Sequence, residues 1–176
     1  AQLENDLSGP FLEKVKSQEN IFDPVKRDKD DIASILYTSG TTGRSKGAML
    51  THNNLVSNTK SLFKIWKFSG NDILLHALPI YHIHGLFVAF NICLFSGAKI
   101  NFLEKFKLKT VIEKLPVSTV MMGVPTYYTR MLQSQNLNHL LTKNIRLFIS
   151  GSAPLLSETH KEFENKTGHK ILERYG

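Results

Sequence analysis

The chain has 176 residues, 41% of them hydrophobic and 21% charged, enough apolar material for one domain with a real core and too much for a disordered segment. Its formal net charge of +7 favours acidic partners, but the lysines are spread along the sequence. Even the densest basic stretch, KINFLEKFKLK at 99–109, has no nucleic-acid recognition motif beside it and reads as a solvated rim. The single cysteine, Cys93, excludes an internal disulfide and a cysteine metal cluster; in the apolar run LFVAFNICLF it reads as a buried, inert thiol. The most apolar stretch, Ile80 to Phe95, is interrupted by His82, His84 and Asn91 and is shorter than a membrane span requires, and the N-terminus lacks the pattern of a secretion signal. The expectation is a cytoplasmic protein in a reducing compartment.

Residues 1–30 are polar and mixed, and read as a peripheral helix and a linker ahead of a domain over 31–176. From there short β-rich runs alternate with helical spacing. The strands expected are ASILYTS, DILLHAL, AKINFL, STVMMGV, IRLFISG and KILERY, rich in Val, Ile, Leu and Phe and bounded by Gly, Pro or Asp. After Thr51, an expected N-cap, Leu55, Leu62, Phe63 and Trp66 recur as one face of a helix. Residues 107–115 read as helix too, as do 157–166, with Ser157 as N-cap and Gly168 as stop. Pro125 suits the first position of a helix running to Leu132. Strands separated by helices in this way predict an α/β fold with a mostly parallel sheet covered on both faces. Ligands of such sheets bind outside the carboxyl ends of the strands. Four unusual loops follow expected strands (TSGTTGRSKG, LPIYHIHG, GVPTYY and SGSAPL) and are predicted to meet on one rim.

The stretch at 37–52, YTSGTTGRSKGAMLTH, gathers small residues and hydroxyls around Lys46. Glycines tolerate positive φ and leave backbone N–H groups free to face an anion, while hydroxyls and a mobile ammonium add donors. A polyphosphate cradle is one reading, and a flexible surface loop is the other. The Walker pattern fails, because Lys46 follows Ser45 and precedes Gly47. His76, His82 and His84 stand close together, and a His-x-His pair can ligate metal; with no Cys, Asp or Glu ligand alongside, no metal site is assigned. His82 could otherwise simply pack on Tyr81. In TYYTRMLQS helical spacing puts Tyr127, Arg130 and Ser134 on one face and Tyr128, Met131 and Leu132 on a more apolar one. Arg130 is then either a surface cation with its stem over apolar atoms or an anion ligand.

YTSGTTGRSKGAMLTH resembles the signature of the adenylate-forming superfamily, which includes the acyl-coenzyme A synthetases and peptide-synthetase adenylation domains. LPIYHIHGL, SGSAPL and ERYG are similar to further motifs of that superfamily and follow in the same order. Within it, LPIYHIHGLFVAFN, MGVPTYYTRML and RLFISGSAPLLSETH most resemble malonyl-coenzyme A synthetases. The resemblance implies part of the large N-terminal domain of such an enzyme and two half-reactions: ATP activates a small dicarboxylate, malonate or methylmalonate, as an acyl adenylate, and coenzyme A then displaces AMP. It implies that Thr38, Ser39, Gly40, Thr41, Thr42, Gly43 and Lys46 contact the β and γ phosphates, Thr41 and Lys46 with catalytic roles. Gly151, Ser152, Ala153 and Pro154 would border the adenine and acyl group, and Tyr175 would stack near the adenine, flanked by Glu173, Arg174 and Gly176. His82 would lie beside the reacting carboxylate, with His84 as an accessory, and Arg130 would bind the second carboxylate, helped by Ser150 and Ser152. ATP, Mg²⁺ and coenzyme A are the implied cofactors and co-substrates. The family's Mg²⁺ ligand and mobile lysine lie beyond ERYG, so the expectation is a fragment that is inactive alone. The competing functions are a fatty acyl-coenzyme A synthetase and a non-catalytic nucleotide-binding fragment.

Overall fold

The computed structural model describes residues 8–38 and 45–175, with the side chain of Thr38 excluded. A first helix, α1 (Pro10–Lys16), starts on Pro10, whose fixed φ suits a first turn, and buries none of its residues. Strands β1 (Ile32–Thr38) and β2 (Lys46–Thr51) pair antiparallel, Thr38 opposite Lys46. Thr51 then caps α2 (His52–Ile65) in a capping box: its hydroxyl accepts the Asn54 N–H, and the Asn54 side chain accepts the Thr51 N–H.

The main sheet has five parallel strands, β3 (Ile73–His76), β4 (Lys99–Phe102), β5 (Val120–Gly123), β6 (Leu147–Gly151) and β7 (Ile171–Arg174), in the spatial order β4-β3-β5-β6-β7. The connections are a π-helical turn (His84–Phe90) running into α3 (Asn91–Ser96), then α4 (Leu108–Lys114), α5 (Pro125–Leu132) with α6 (His139–Thr142), and α7 (Ser157–Thr167). Because side chains alternate along a strand, Leu75, Met121, Phe148 and Ile171 join one core with Val111, Tyr128, Met131 and Phe163 from α4, α5 and α7. Leu74, Val120, Met122 and Ile149 join the other with Val88, Ala89, Ile92 and Cys93. Each such buried side chain contributes on the order of 1.5–3 kcal/mol. Parallel strands buried on both faces read as continuous apolar runs, which is why the central strands β3, β5 and β6 were legible.

Two expectations are corrected. ASILYTS is a strand, but it pairs antiparallel with β2 in its own two-stranded sheet and does not join the parallel one; residues 39–44 of the TSGTTGRSKG segment lie outside the described residues. The short run KGAMLT carries little of the β-branched signal that marks a strand and was legible only once its partner is seen. Ser157 is the first helical residue of α7 and Leu156 holds the cap position without a side-chain bond; Gly168, at φ 77, ends the helix as expected.

At the amino ends of the strands, the Asp72 carboxylate accepts from Arg146 Nε and Nη2, both at 2.8 Å, from the Ser69 N–H at 2.9 Å and from the Thr119 hydroxyl at 2.9 Å. Arg146 also donates to the carbonyls of Trp66 and Lys67, so one ion pair ties β3 and β6 to the end of α2. No helix among the described residues is long and apolar enough to cross a membrane.

Candidate active site

The carboxyl ends of β3, β5, β6 and β7 lie along one edge of the sheet. β4 flanks β3 on one side and β5 flanks it on the other, so the chain order reverses between β3 and β5, where open α/β sheets leave a crevice. Two features of this edge carry the candidate chemistry.

The first is a cleft of ≈ 490 Å³ lined by Ser152, Ala153, Pro154, Glu173, Arg174 and Tyr175. Strand β6 leaves the sheet at Gly151, where a Cβ would stand 3.0 Å from His84 Cε1 and 3.4 Å from the Arg174 carbonyl oxygen, a tight approach that any larger residue would force the His84 ring to yield to. Ser152 follows in the left-handed region at φ 71, a conformation shared among described non-glycine residues only by Lys67. The Glu173 carboxylate accepts from the Leu155 N–H at 3.0 Å and pairs with His160 Nε2 at 3.0 Å, fastening the loop after β6 to β7 and α7. Those contacts, the Leu155 N–H foremost, hold Glu173 below the usual carboxylate range. Burial lowers the Arg174 guanidinium from its ordinary value, and the Tyr175 ring is fully exposed beside the cleft.

Two buried imidazoles stand at the same edge of the sheet. His76, on β3, packs edge-on against Phe102 with ring centroids 5.2 Å apart, and neither ring nitrogen has a hydrogen-bond partner among the described residues. His84 opens the π-helical turn, a form of helix frequent at functional sites. Its Nδ1 lies 3.2 Å from Ser152 Oγ and its Nε2 is buried without a partner among the described residues. Burial pulls both histidines down to about 4, with the Arg174 charge adding to the effect at His84, so both rings are neutral near pH 7. The turn between β3 and His84 is tight: a Cβ on Gly85 would fall 2.2 Å from the Pro79 carbonyl oxygen. His82 is exposed on this turn, its ring 4.7 Å from that of Tyr81.

The second feature is a crevice of ≈ 330 Å³ at the switch point, lined by Pro79, Tyr81, Glu104, Lys105, Phe106 and Tyr127 among others. Helix α5 places Tyr128, Met131 and Leu132 in the core and leaves Arg130 exposed, as its spacing requires. The Tyr127 hydroxyl donates to the Ala77 carbonyl at 2.9 Å and its ring stacks on Phe106 with centroids 4.2 Å apart. The Arg130 guanidinium carbon stands 4.6 Å over the other partner in that stack, Phe106, so the cation is held at the crevice by an aromatic face. Burial raises the Tyr127 phenol, and Arg130 partly offsets that rise.

The edge thus brings together Ser152, Ala153, Pro154, Glu173, Arg174 and Tyr175 around one cleft, with Gly151 just before it in the chain and His82 and Arg130 on elements that border the second crevice. Ser150 is buried, 1% exposed, its hydroxyl without a partner among the described residues. Lys46 is exposed at the start of β2 rather than within a loop, and Ser39, Gly40, Thr41, Thr42, Gly43 and Gly176 lie outside the described residues. Among the described residues no group of three His, Cys, Asp or Glu side chains is arranged to hold a metal ion. Sequence reasoning did not single out Phe106, which sits in a basic stretch with the look of a rim, and it gave His84 only an accessory place; the sole signal for the latter was a second histidine two residues after His82.

Residues 3–176 match the family model described as AMP-binding enzyme. The chain is similar to ATP-bound MatB from Rhodopseudomonas palustris, 53% identical with a TM-score of 0.94, covering 99% of this chain and 35% of that one. It is 37% identical to malonate–CoA ligase of Arabidopsis thaliana over 90% of its own length and 29% of that protein's. A malonyl-CoA ligase structure with methylmalonyl-CoA and AMP bound is 34% identical with a TM-score of 0.80, over 85% of this chain and 33% of that one. The chain therefore spans about a third of the length of these relatives.

Proposed function

The chain belongs to the AMP-binding enzyme family, and on that basis we propose that it forms the nucleotide- and acid-binding edge of an ATP-dependent malonate or methylmalonate–CoA ligase. The observation that carries the substrate is Arg130, an exposed guanidinium held over Phe106 beside the switch-point crevice. A guanidinium fork binds a carboxylate bidentately, and a dicarboxylic acid keeps one carboxylate free of the reaction for it to hold. A purely aliphatic acid offers Arg130 nothing in return for its desolvation. The relatives named malonate–CoA ligase support the same reading.

The reaction needs positioning and charge stabilisation more than a covalent nucleophile. One carboxylate oxygen of the acid bonds to the α-phosphorus of ATP, the bond from that phosphorus to the bridging oxygen breaks, and pyrophosphate leaves. The sulfur of coenzyme A then bonds to the acyl carbon, its proton goes to solvent, and AMP leaves. The cleft beside Ser152 and Tyr175 has the volume of a small-molecule site and an open aromatic face on which a purine can stack. We assign the nucleoside to that cleft, the phosphates to the connection between Thr38 and Lys46, with Thr41 and Lys46 acting on them, and the acid to the crevice beneath Arg130, with His82 at the junction. Coenzyme A enters as co-substrate, and Mg²⁺ would accompany ATP.

The test replaces the matching segment of Rhodopseudomonas palustris MatB with this chain and measures pyrophosphate exchange with malonate, methylmalonate and octanoate. Exchange driven by the dicarboxylates and lost in Arg130→Ala is the expected result. Exchange driven only by octanoate, or untouched by Arg130→Ala, overturns the assignment.

A further inference from the structure

His84 and Ser152 form a unit that the nucleotide reading does not by itself explain. Ser152 is exposed on the cleft, yet its backbone is held at φ 71, where a serine is strained and a glycine is not. The Ser152 hydroxyl is engaged from behind by the Nδ1 of a histidine that is 3% exposed and whose other nitrogen, Nε2, is buried without a partner among the described residues. A neutral imidazole carries one proton. A buried N–H with no acceptor is rarer and costlier than a buried lone pair with no donor, so the proton belongs on Nδ1. His84 then donates to Ser152 Oγ, and the serine's own O–H is left to point into the cleft as a donor. Gly151 completes the arrangement by allowing the His84 ring to approach the chain with Cε1 3.0 Å from the place of a Cβ.

We propose that His84 is a positioning residue that fixes the Ser152 hydroxyl as a hydrogen-bond donor toward an oxyanion of the bound ligand, a phosphate or carboxylate oxygen. The proposal rests on the assignment of the cleft to ATP and the activated acid. It accounts for a serine where the backbone favours glycine: the strain is kept because the hydroxyl is used. It also accounts for the buried, neutral ring, since a charged imidazolium would add a second donor with nowhere to go.

The experiment is calorimetric titration of ATP into the 176-residue chain and its variants, with thermal melts of each. His84→Phe keeps a ring but no nitrogen, whereas His84→Asn keeps an N–H donor close to the Nδ1 position. Ser152→Ala removes the hydroxyl, and Ser152→Gly removes it while relieving the backbone. Expected are losses of affinity of about tenfold for His84→Phe and Ser152→Ala, no further loss in the double variant, and near-normal affinity for His84→Asn. Ser152→Gly is expected to bind as weakly as Ser152→Ala while melting at a higher temperature than the unsubstituted chain. Additive losses, a Ser152→Ala that binds normally, or a His84→Asn as poor as His84→Phe would overturn the role of His84 while leaving the nucleotide assignment standing. An unsubstituted chain that does not bind ATP would overturn both. Should His84→Phe fail to fold, the two exposed-serine variants and His84→Asn still decide the matter.

Discussion

Substituting Asp72 by alanine is the sharpest test of what holds the sheet to the helix layer. The Asp72 side chain is 4% exposed and collects four donors, two of them from Arg146. Removing one partner of a buried ion pair costs about 3–5 kcal/mol, because the other is left uncompensated. Arg146 is 38% exposed and keeps the carbonyls of Trp66 and Lys67, so its charge stays partly solvated and the low end applies. A loss of about 3 kcal/mol is expected for Asp72→Ala, and about 2 kcal/mol for Asp72→Asn, which keeps the shape and part of the hydrogen bonding. In urea unfolding followed by circular dichroism, with a slope of about 2 kcal/mol/M, the midpoint should fall by about 1.5 M for alanine with the slope unchanged. The double variant Asp72→Ala/Arg146→Leu should recover part of the loss. A midpoint shift under about 0.5 M, or full additivity, would refute the assignment of this pair as a stabilising tie.

Acid sensitivity follows from the same group and from the histidines. Burial alone would raise Asp72, but the bonds from Arg146, Ser69 and Thr119 outweigh it and leave its folded value below the ordinary 3.8. Its contribution is therefore present above 3.8 and lost as pH falls through the folded value. His76 and His84 act earlier: the unfolded chain takes up protons below 6.5 while the folded rings resist until about 4, so stability falls with pH across that window, on the order of 3 kcal/mol for each. His76→Phe should flatten the stability profile between pH 6.5 and 4, and an unchanged slope would count against the buried neutral ring. Gly85→Ala should cost about 3 kcal/mol or prevent folding, because its Cβ would meet the Pro79 carbonyl rather than a side chain that can yield; a normal melt would show the turn to be looser than described. Arg130→Lys in the segment-replacement enzyme should raise the KM for malonate by about tenfold or more with a smaller change in kcat, since an ammonium cannot reproduce the planar fork.

Most of the architecture could be read from local pattern. DILLHAL, STVMMGV and IRLFISG are buried on both faces, so they need no partner to announce them as strands. Thr51, Pro125 and Gly168 mark helix ends because capping, fixed φ and positive φ are properties of single residues. β2 escaped notice because KGAMLT is exposed or half-buried along its length and becomes a strand by pairing with β1. The motifs of the cleft were visible as words, and the residues around Ser152 and Tyr175 do lie together. Their internal wiring was not visible: Glu173 reads as a flank of an aromatic, yet its carboxylate is occupied by Leu155 and His160.

By itself the sequence determined the alternation of strand and helix, the residue types available at each loop and the helical face on which Arg130 stands. Those follow from periodicity, from glycine and proline, and from chemistry carried within a few residues. Only the tertiary structure decided that β1 belongs to a separate two-stranded sheet, that Phe106 sits beneath Arg130, and that His84 reaches Ser152, 68 residues away along the chain. Contacts of that separation are set by strand order and by the depth at which each loop leaves the sheet. No local rule of spacing encodes either one.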